Sequence, residues 1–424
     1  MNLAQARIAL ANNTRALRVR NYRLYWFGQL VSMSGTWMQT TAQAWVVLTL
    51  TKSPAALGTV TTLQFLPIML LSLFGGVIAD RVQKRRMVLV TQTLALVQAT
   101  VFGLLVGTGM IQVWHIYVLA AIQGVINAID NPVRQAMASE LVDKADRPNS
   151  IALNSTLFNA ARIVGPALAG VLIASIGAAA ALYFNALSFV AIIAAVLMMD
   201  QTKFFVRPPQ SSQSSPINDF KEGVRYAWRT PAVLSVLIVV AFVGTFGYNF
   251  SVVLPLLGGF VLHTDAIGFG TLSASLGIGS LLGALLTTTL HSVSFRRLIL
   301  GSLGFTILLG IVAVSTQLHL SQALLVGVGF CGVLFSTGAS TLIQITVPDH
   351  LRGRVTSIFF LLFAGSTPIG ASIIGAISAA LNVSDAMLVC CALCLVGLGV
   401  AVWYEHRSRG FAIMNEQTAQ GQTV

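Results

Sequence analysis

Three charged residues stand inside or beside apolar stretches of this 424-residue chain. Asp130 lies inside one apolar segment with Arg134 one helical turn further on, and Arg162 lies inside the next, just before Gly165-Pro166. A charge in hydrocarbon is costly, so such a residue is a functional candidate by default. An unpaired Asp130 could take up and release protons, whereas an Asp130 paired with Arg134 or Arg162 would be a structural lock.

The composition predicts that most of the chain lies in a bilayer. Of its residues, 55% are hydrophobic and 9% are charged, whereas a soluble domain carries about 25% charged residues. Apolar runs of about 20 residues can span as helices, and these runs lack the short alternating pattern of a membrane β-barrel. We expect twelve spans, near 24–50, 54–79, 87–108, 114–138, 149–175, 178–199, 232–257, 267–290, 298–316, 321–346, 355–379 and 385–404.

The basic residues predict the topology. With twelve spans, all but two of the 25 Lys and Arg residues fall on the side of the termini, and the exceptions are Lys52 and Arg162. The positive-inside rule then puts both termini in the cytoplasm, and we expect a multi-pass protein of the bacterial cytoplasmic (inner) membrane. At about 1.5 Å per residue, Asp130 lies roughly 12 Å from the cytoplasmic end of its helix. That depth favours a lock or gate over a proton-coupling site.

One long interruption divides the spans. Residues 201–231 contain Pro208-Pro209, a Ser/Gln run and a segment that can form an amphipathic surface helix. We expect an N-terminal six-helix bundle at 1–200, a cytoplasmic linker with this helix at 201–231, a C-terminal six-helix bundle at 232–404 and a cytoplasmic tail at 405–424. The predicted fold class is therefore an all-α membrane protein with twelve transmembrane helices in two six-helix pseudo-symmetric bundles, a pattern typical of secondary transporters.

The loop after span 2 carries a motif. Residues 76–86, GVIADRVQKRR, resemble the loop signature of the major facilitator superfamily, G-x-x-x-D-R-x-G-R-[RK], with Gln83 in place of the second glycine. Asp80 could cap a neighbouring helix N-terminus. The resemblance implies the major facilitator fold and a cytoplasmic latch in which Asp80 meets the start of span 11 near 353–356. The latch residues would be Gly76, Asp80, Arg81 and Arg85, joined by Arg134 if it pairs with Asp130. The alternative is a basic loop that only sets topology.

Span 5 carries a second motif. Residues 161–170, ARIVGPALAG, resemble the antiporter motif of the same superfamily, g-x-x-x-G-P-x-x-G-G, with alanine at two glycine positions. Pro166 removes a backbone donor, and the small residues let another helix pack across the bend. Because the family's motif occurs mainly in exporters, Gly165, Pro166 and Gly170 favour efflux over uptake. The alternative is an ordinary small-residue packing face.

The wider stretch 130–170 resembles the drug-efflux and siderophore-export branch of that superfamily, which includes enterobactin-type exporters. The resemblance implies a proton-driven secondary exporter of an amphipathic small molecule, either a siderophore or a drug, that works by alternating access. Three alternatives stay open: a lysophospholipid or other lipid transporter, a solute-uptake symporter and a transport-inactive receptor.

Polar residues recur at three- and four-residue steps in spans 1, 4, 7 and 10, the helices that line the cavity in the superfamily. Such spacing puts them on one face of each helix, where they either line water or hydrogen-bond a neighbouring helix. We predict that the substrate-binding residues are Gln29, Ser32, Thr36, Gln39, Gln43, Gln123, Asn127, Tyr248, Asn249, Thr337 and Thr341.

The sequence gives no indication of an enzyme. It has no G-x-x-x-x-G-K-[ST] phosphate loop, no nucleophile–base pair in a recognisable context, and no metal-ligand spacing among its histidines. Cys391 and Cys394 form a C-x-x-C pair that we read as small apolar residues on a helix. We expect no metal and no cofactor, a proton gradient as the energy source, and a monomer. The expected partners are a small-molecule substrate, protons and the lipid bilayer, without nucleic acid.

Overall fold

The structure is a computed structural model that describes residues 15–205, 216–289 and 293–421, apart from the side chains of 72–81, 216–217, 288–289 and 409–421. This part of the chain is helical and contains no strand. After a 3-10 turn at Arg15–Arg18, the first six helices are α1 (Arg20–Thr51), α2 (Pro54–Arg81), α3 (Lys84–Gly107), α4 (Val113–Glu140), α5 (Arg147–Ile176) and α6 (Ala178–Leu197).

A shorter helix, α7 (Pro216–Arg229), precedes the remaining long elements. These are α8 (Pro231–Phe242), α9 (Phe250–Leu256), α10 (Ala266–Thr289), α11 (Phe295–Val314), α12 (Leu318–Thr346), α13 (Asp349–Phe363), α14 (Thr367–Ala380) and α15 (Val383–Gly421). Two π-helical turns, Val243–Gly247 and Leu257–Val261, flank α9. The span from α8 onwards is therefore interrupted twice, and irregular backbone at membrane depth is tolerated where protein or water satisfies it.

Among the described residues, eleven helices are long and apolar enough to cross a membrane when α8 to Val261, and α13 with α14, are each counted as one span. The first helix, α1, is not one of the eleven. With 32 residues it has the length of a span, but it carries a run of polar side chains that includes Gln29, Gln39 and Gln43. The all-α expectation is confirmed, and the predicted count of twelve depends on α1.

Contacts divide the chain into two compact units. The first comprises the described residues of Met1–Ser211 and Leu254–Gly277, and in it α1 packs on α5 and α6, α2 on α4, and α3 on α4 and α6. The second comprises the described residues of Ser212–Val253 and Ile278–Val424. In it α11 packs on α12 and α15, α8 on α15, and α7 on α13.

Side chains on α1 fix the beginning of the first unit. The hydroxyl of Tyr22 donates to the carbonyl of Ser150 at 2.9 Å. The Asn21 amide donates to the carbonyl of Asp200 at 2.7 Å and accepts from its N–H at 3.1 Å. The hydroxyl and N–H of Thr202 donate to the Asp200 carboxylate and hold its pKa below the usual range. These bonds tie the start of α1 to α5 and to the chain that leaves α6.

Candidate functional site

Asp130 forms a buried ion pair in the first unit. Its Oδ2 lies 2.7 Å from Nε of Arg134, one turn along α4, and its residue surface is 2% exposed. From α3, the Thr91 hydroxyl donates to Oδ1 at 2.5 Å, and the Gln92 amide nitrogen lies 3.0 Å from each carboxylate oxygen. A buried charge persists when a partner and hydrogen bonds offset its lost hydration. Of the two forms that the sequence allows for Asp130, paired and unpaired, the structure therefore shows the paired one.

The same centre reaches α1. The Ser32 hydroxyl lies 3.4 Å from Oε1 of Gln92, and the Tyr25 hydroxyl donates to the carbonyl of Arg134 at 3.2 Å. Ser32 is fully buried, and Tyr25 is 2% exposed. The Asp130 centre thus joins α1, α3 and α4, and loosening it would affect all three helices.

A second polar centre is built around Gln39 on α1. Its amide nitrogen donates to Oε1 of Gln98 on α3 at 3.1 Å, and its oxygen accepts from Asn185 on α6 at 2.7 Å. All three side chains are buried. One turn further along α1, the Gln43 amide donates to Oε1 of Gln64 on α2 at 3.2 Å. The polar face of α1 could line water or hydrogen-bond neighbouring helices. Gln39 and Gln43 do the second, because both make hydrogen bonds to other helices.

Other residues of the predicted substrate set keep unused hydrogen-bonding capacity. Gln29 and Gln123 are buried, and their side-chain oxygens have no hydrogen-bond partner among the described residues. The Gln123 amide donates to Oδ1 of Asn127 at 3.0 Å. Thr36 and Asn127 are half-buried, and the Thr36 hydroxyl donates to the carbonyl of Ser32 at 3.0 Å. Gln29 and Gln123 thus each keep an unpaired buried acceptor in the described part of the first unit.

In the second unit, Tyr248 lies within an aromatic cluster where the helix is interrupted. Its ring stacks on Phe305 with centroids 5.7 Å apart and lies 4.9 Å from Phe363 and 5.2 Å from Phe250. The next residue, Asn249, is fully buried; its amide donates to the carbonyl of Thr245, while its oxygen has no partner among the described residues.

Gly370 of α14 packs closely against the interrupted segment that precedes α9. A Cβ added at Gly370 would overlap the carbonyl of Thr245 and the Asn249 amide. The remaining predicted residues lie on α12, where Thr337 is exposed and Thr341 is half-buried. The cluster and the interruption place Tyr248 and Asn249 together, whereas Thr337 and Thr341 lie on a separate helix.

The glycines of the 161–170 motif sit at backbone contacts of α5. A Cβ at Gly165 would lie 2.5 Å from Cβ of Trp37 on α1, and a Cβ at Gly170 would lie 2.6 Å from the carbonyl oxygen of Ala266 on α10. In return, a Cβ at Gly270 would lie 2.6 Å from the carbonyl oxygen of Pro166. Only glycine permits such close approach. The motif therefore forms two helix crossings within the first unit, one of α5 with α1 and one of α5 with α10.

Arg162 is held against α1 by an aromatic side chain. Its Cζ lies 5.9 Å from the centroid of the Trp37 ring, and Phe158 meets the same ring edge-on at 5.8 Å. A guanidinium over an indole face is attracted by the ring quadrupole. The position of Arg162 beside Trp37 and Gly165 links the third charge of the sequence to the α1–α5 crossing.

The predicted latch is only partly described. The side chains of Asp80 and Arg81 and the surroundings of Gly76 lie outside the described residues, so the latch stays a prediction. Arg85, at the start of α3, donates from Nε to the carbonyl of Val196 at 3.1 Å and from its terminal nitrogen to that of Leu197 at 3.3 Å. A cation at these carbonyls complements the negative end of α6. Arg85 therefore caps the C-terminus of α6.

The start of α13, where Asp80 is predicted to dock, has partners that the sequence reasoning missed. Arg354 lies 2.6 Å from Asp219 of α7 and also pairs with Glu222. Two acids three residues apart share a helix face, a spacing visible in the sequence, but their partner lies more than a hundred residues away.

The sequence reasoning also missed four polar residues of the first unit, although glutamines inside an apolar span are a usable signal. These residues are Thr91, Gln92, Gln98 and Asn185.

A cavity of about 320 Å³ lies in the first unit, at the end of α1. The Trp45 and Phe269 rings stack across it with centroids 6.4 Å apart, and Lys52 lies at its edge. Lys52 has a left-handed backbone with φ of 48° and ends α1. The cavity thus combines aromatic walls with one cation, a combination that suits an amphipathic molecule.

Comparison with known proteins supports the transporter interpretation. A family model described as "transmembrane secretion effector" matches residues 12–419. The staphyloferrin A transporter of Staphylococcus aureus is 28% identical over 79% of this chain and 84% of its own length. The multidrug efflux pump Tap of Mycolicibacterium fortuitum is 26% identical over 90% of this chain and 95% of its own. The enterobactin exporter EntS of Citrobacter koseri is 23% identical over 76% and 77%.

Solved structures share the fold at low sequence identity. A bacterial homologue of the human lysosomal transporter Spinster, in an inward-facing and unoccupied conformation, superposes with a TM-score of 0.71 at 14% identity, over 93% of this chain and 97% of its own. The nucleoside transporter NupG also gives a TM-score of 0.71, at 10% identity over 92% and 99%. The predicted major facilitator fold is confirmed. The chain belongs to the transmembrane secretion effector family of the major facilitator superfamily, and it is a multi-pass membrane transporter rather than an enzyme.

Proposed function

We propose that this transporter exports an amphipathic small molecule, a siderophore or a drug, in exchange for protons and by alternating access. The observation that carries the proposal is the alignment, over 76% to 90% of the chain, with relatives named as siderophore and multidrug transporters. The motif at 161–170, which resembles that of exporters, lies within the aligned family model. The proposed setting is the cytoplasmic membrane of a bacterium, with a monomeric protein and both termini in the cytoplasm.

The crossings at Gly165 and Gly170 support alternating access physically. Gly165 and Gly170 themselves present no side chain at these contacts, so α5 comes close to Trp37 of α1 and to the backbone of α10. A face without side chains at these two positions lets the helix tilt there without exchanging interlocked side chains. Pro166 leaves one carbonyl of α5 without its usual donor, which makes a bend at the crossing less costly.

The unused acceptors support an amphipathic substrate that carries hydrogen-bond donors. Gln29 and Gln123 in the first unit and Asn249 in the second each hold a buried side-chain oxygen without a partner among the described residues. A buried acceptor left unpaired costs about 1–3 kcal/mol. In the first unit, a substrate hydroxyl, amide or ammonium group would satisfy Gln29 or Gln123. In the second unit, such a group would satisfy Asn249, and the rings around Tyr248 would contact the apolar part of a substrate bound there.

The Asp130 centre supports a gate role for this residue. In its present arrangement the carboxylate is fully engaged by Arg134, Thr91 and Gln92. Proton exchange at Asp130 would first require Arg134 to move away, so coupling through Asp130 would have to be linked to a change of conformation. We propose that the Asp130 centre, through Thr91 and Gln92, holds α3 to α4 and that it opens during the transport cycle.

The proposal is tested in a bacterial strain that lacks its own efflux pumps and siderophore exporter. Strains that express this chain are compared with strains that express the Gly165→Leu variant at matched membrane levels. We expect the wild-type chain to restore siderophore in the medium or to raise the inhibitory concentration of amphipathic drugs. If neither readout changes, the export proposal is wrong, and uptake of radiolabelled lysophospholipid by the same cells then tests the lipid-transporter alternative.

A further inference from the structure

The helix α7 has one face that is committed to the second unit. Gly223 and Ala227 are buried there, and a Cβ at Gly223 would lie 3.1 Å from Cβ of Arg354. Asp219 and Glu222 on the same side pair with Arg354. These contacts fix the rotation of α7 about its axis, and they decide which of its residues point outward.

An apolar ridge lies on the outer side. Phe220, Val224 and Trp228 follow one another at four-residue steps, which align them along the helix. Trp228 is 73% exposed and Val224 is 38% exposed. A tryptophan with most of its surface open is unusual in a soluble environment, because its burial would be favourable. The ridge therefore needs an apolar or interfacial neighbour.

A basic ridge runs beside the apolar one. Lys221, Arg225 and Arg229 repeat at the same four-residue step, and all three are exposed. They line one side of a groove of about 500 Å³, together with Asn218, Glu222, Tyr226 and Leu351. Among the described residues that line the groove, Glu222 is the one with a carboxylate, and it is engaged by Arg354. The groove therefore offers three cations to an anionic group.

Chain connectivity places both ridges at the membrane surface. Arg229 ends α7, and Pro231 begins the candidate span Pro231–Val261. Trp228 thus lies three residues before the first residue of a membrane-crossing helix. At this level lipid headgroups meet acyl chains, and tryptophan and basic residues are enriched there.

We propose that the outer face of α7 binds anionic phospholipid headgroups, with Phe220, Val224 and Trp228 in the acyl boundary and Lys221, Arg225 and Arg229 on the phosphates. An amphipathic helix with this division of residues lies in the bilayer interface and gains from anionic lipid. A second copy of the chain fits less well, because it would bring the same three cations against this ridge. The inference is independent of the exported substrate.

Lipid retention by the full-length protein tests the basic ridge. The chain is purified from nanodiscs that contain phosphatidylglycerol and phosphatidylcholine, and native mass spectrometry counts the lipids that stay bound. Each cation near an anionic surface contributes roughly a fivefold preference. The triple variant Lys221→Gln, Arg225→Gln, Arg229→Gln should therefore lose at least about tenfold in phosphatidylglycerol preference, since part of that gain is screened by salt.

Two matched variants control for charge and for position. Lys221→Arg, Arg225→Lys, Arg229→Lys keeps the three charges and should keep the lipid preference. Arg20→Gln, Arg23→Gln, Lys144→Gln removes three exposed charges elsewhere and should change the preference by less than about twofold, because two of them lie on α1 and the third lies after α4, so the three do not form one line of cations on a surface helix. Inorganic phosphate at millimolar concentration should not displace the lipid.

Tryptophan quenching tests the apolar ridge. Lipids brominated near the top of the acyl chain quench tryptophans at that depth, and the difference between wild type and Trp228→Phe isolates Trp228 from the other five tryptophans. We expect the Trp228 signal to be quenched in nanodiscs. The proposal is overturned if Trp228 is not quenched, if the two glutamine triples lose lipid preference equally, or if the chain is a dimer that Trp228→Gln dissociates.

Discussion

The Arg134 guanidinium lies 2.7 Å from the Asp130 carboxylate inside the first unit, and Asp130 is 2% exposed. Both residues lie on α4, one turn apart, so their ion pair alone would not connect α4 to another helix. It is Thr91 and Gln92 on α3 that convert a local ion pair into a connection between helices. The contribution of this centre to the free energy of unfolding follows from its burial.

Removing one partner of this pair should cost more than removing both charges. Asp130→Ala leaves the Arg134 guanidinium, whose side chain is 13% exposed, without its carboxylate, and breaking a buried pair in this way costs up to about 3–5 kcal/mol. The double variant Asp130→Asn, Arg134→Gln should be closer to wild type. Thermal unfolding in detergent, followed by tryptophan fluorescence, measures both. Equal unfolding temperatures for Asp130→Ala and wild type would show that the pair has no stabilising role.

Substitution at the α5 crossing should impair both packing and transport. A Cβ at Gly165 would lie 2.5 Å from Cβ of Trp37, so Gly165→Ala requires α1 or α5 to shift, at a cost of about 1–3 kcal/mol. Gly399→Ala is the matched control, because a Cβ at Gly399 has no heavy atom within 4 Å. Export and unfolding temperature should fall for Gly165→Ala and stay unchanged for the control. Similar behaviour of the two variants would contradict the crossing.

Gln39 should behave as a structural residue that joins three helices. Gln39→Leu leaves the Asn185 amide and Oε1 of Gln98 without their described partner, and hydrogen bonds between membrane helices are worth about 0.6–1.7 kcal/mol. Thr40→Val is the control, because the Thr40 hydroxyl donates to the carbonyl of Thr36 in the same helix. A stable Gln39→Leu protein with altered substrate affinity would instead assign Gln39 to the substrate site.

The pairing of Arg354 should hold α7 in place. Asp219→Asn with Glu222→Gln removes both carboxylates, and we expect faster hydrogen exchange of the α7 amides by about fivefold, equivalent to about 1 kcal/mol for a partly exposed charge network. Arg352→Gln is the control, because Arg352 pairs with Asp349 within the same exposed turn. High salt should reproduce part of the effect by screening. Unchanged exchange in the double variant would show that packing at Gly223 suffices.

Periodicity in the sequence predicted the faces of the helices, but it did not predict their neighbours. The three- and four-residue steps in α1 place Gln39 and Gln43 on one side, and the same spacing fits a water-filled cavity and a contact with α3 or α2. Which of these two environments the side chains have depends on residues such as Gln98 and Gln64, which come close to Gln39 and Gln43 only in the folded protein. Close approach at Gly165 was predictable, because small residues beside a proline are a local signal.

Long-range and interrupted features were beyond the sequence. Arg354 meets Asp219 from a distant part of the chain, and no local pattern records such a contact. The π-helical turns around α9 occur in a run of apolar residues that reads as one regular span. At the first of these turns, Gly370 approaches the carbonyl of Thr245 and Phe305 approaches Gly247, and such contacts between distant parts of the chain leave no local pattern.

Everted membrane vesicles test the central claim, export in exchange for protons. Respiration acidifies their lumen, and uptake of ethidium and of an iron-free catecholate siderophore is followed separately, with Gly165→Leu vesicles as background. We predict that the wild-type chain accumulates at least one of the two probes in the lumen, and that nigericin and valinomycin in potassium buffer, which together collapse the pH gradient and the membrane potential, abolish the accumulation. Accumulation that persists at full rate after both ionophores, or that requires an alkaline lumen, would contradict proton-driven export.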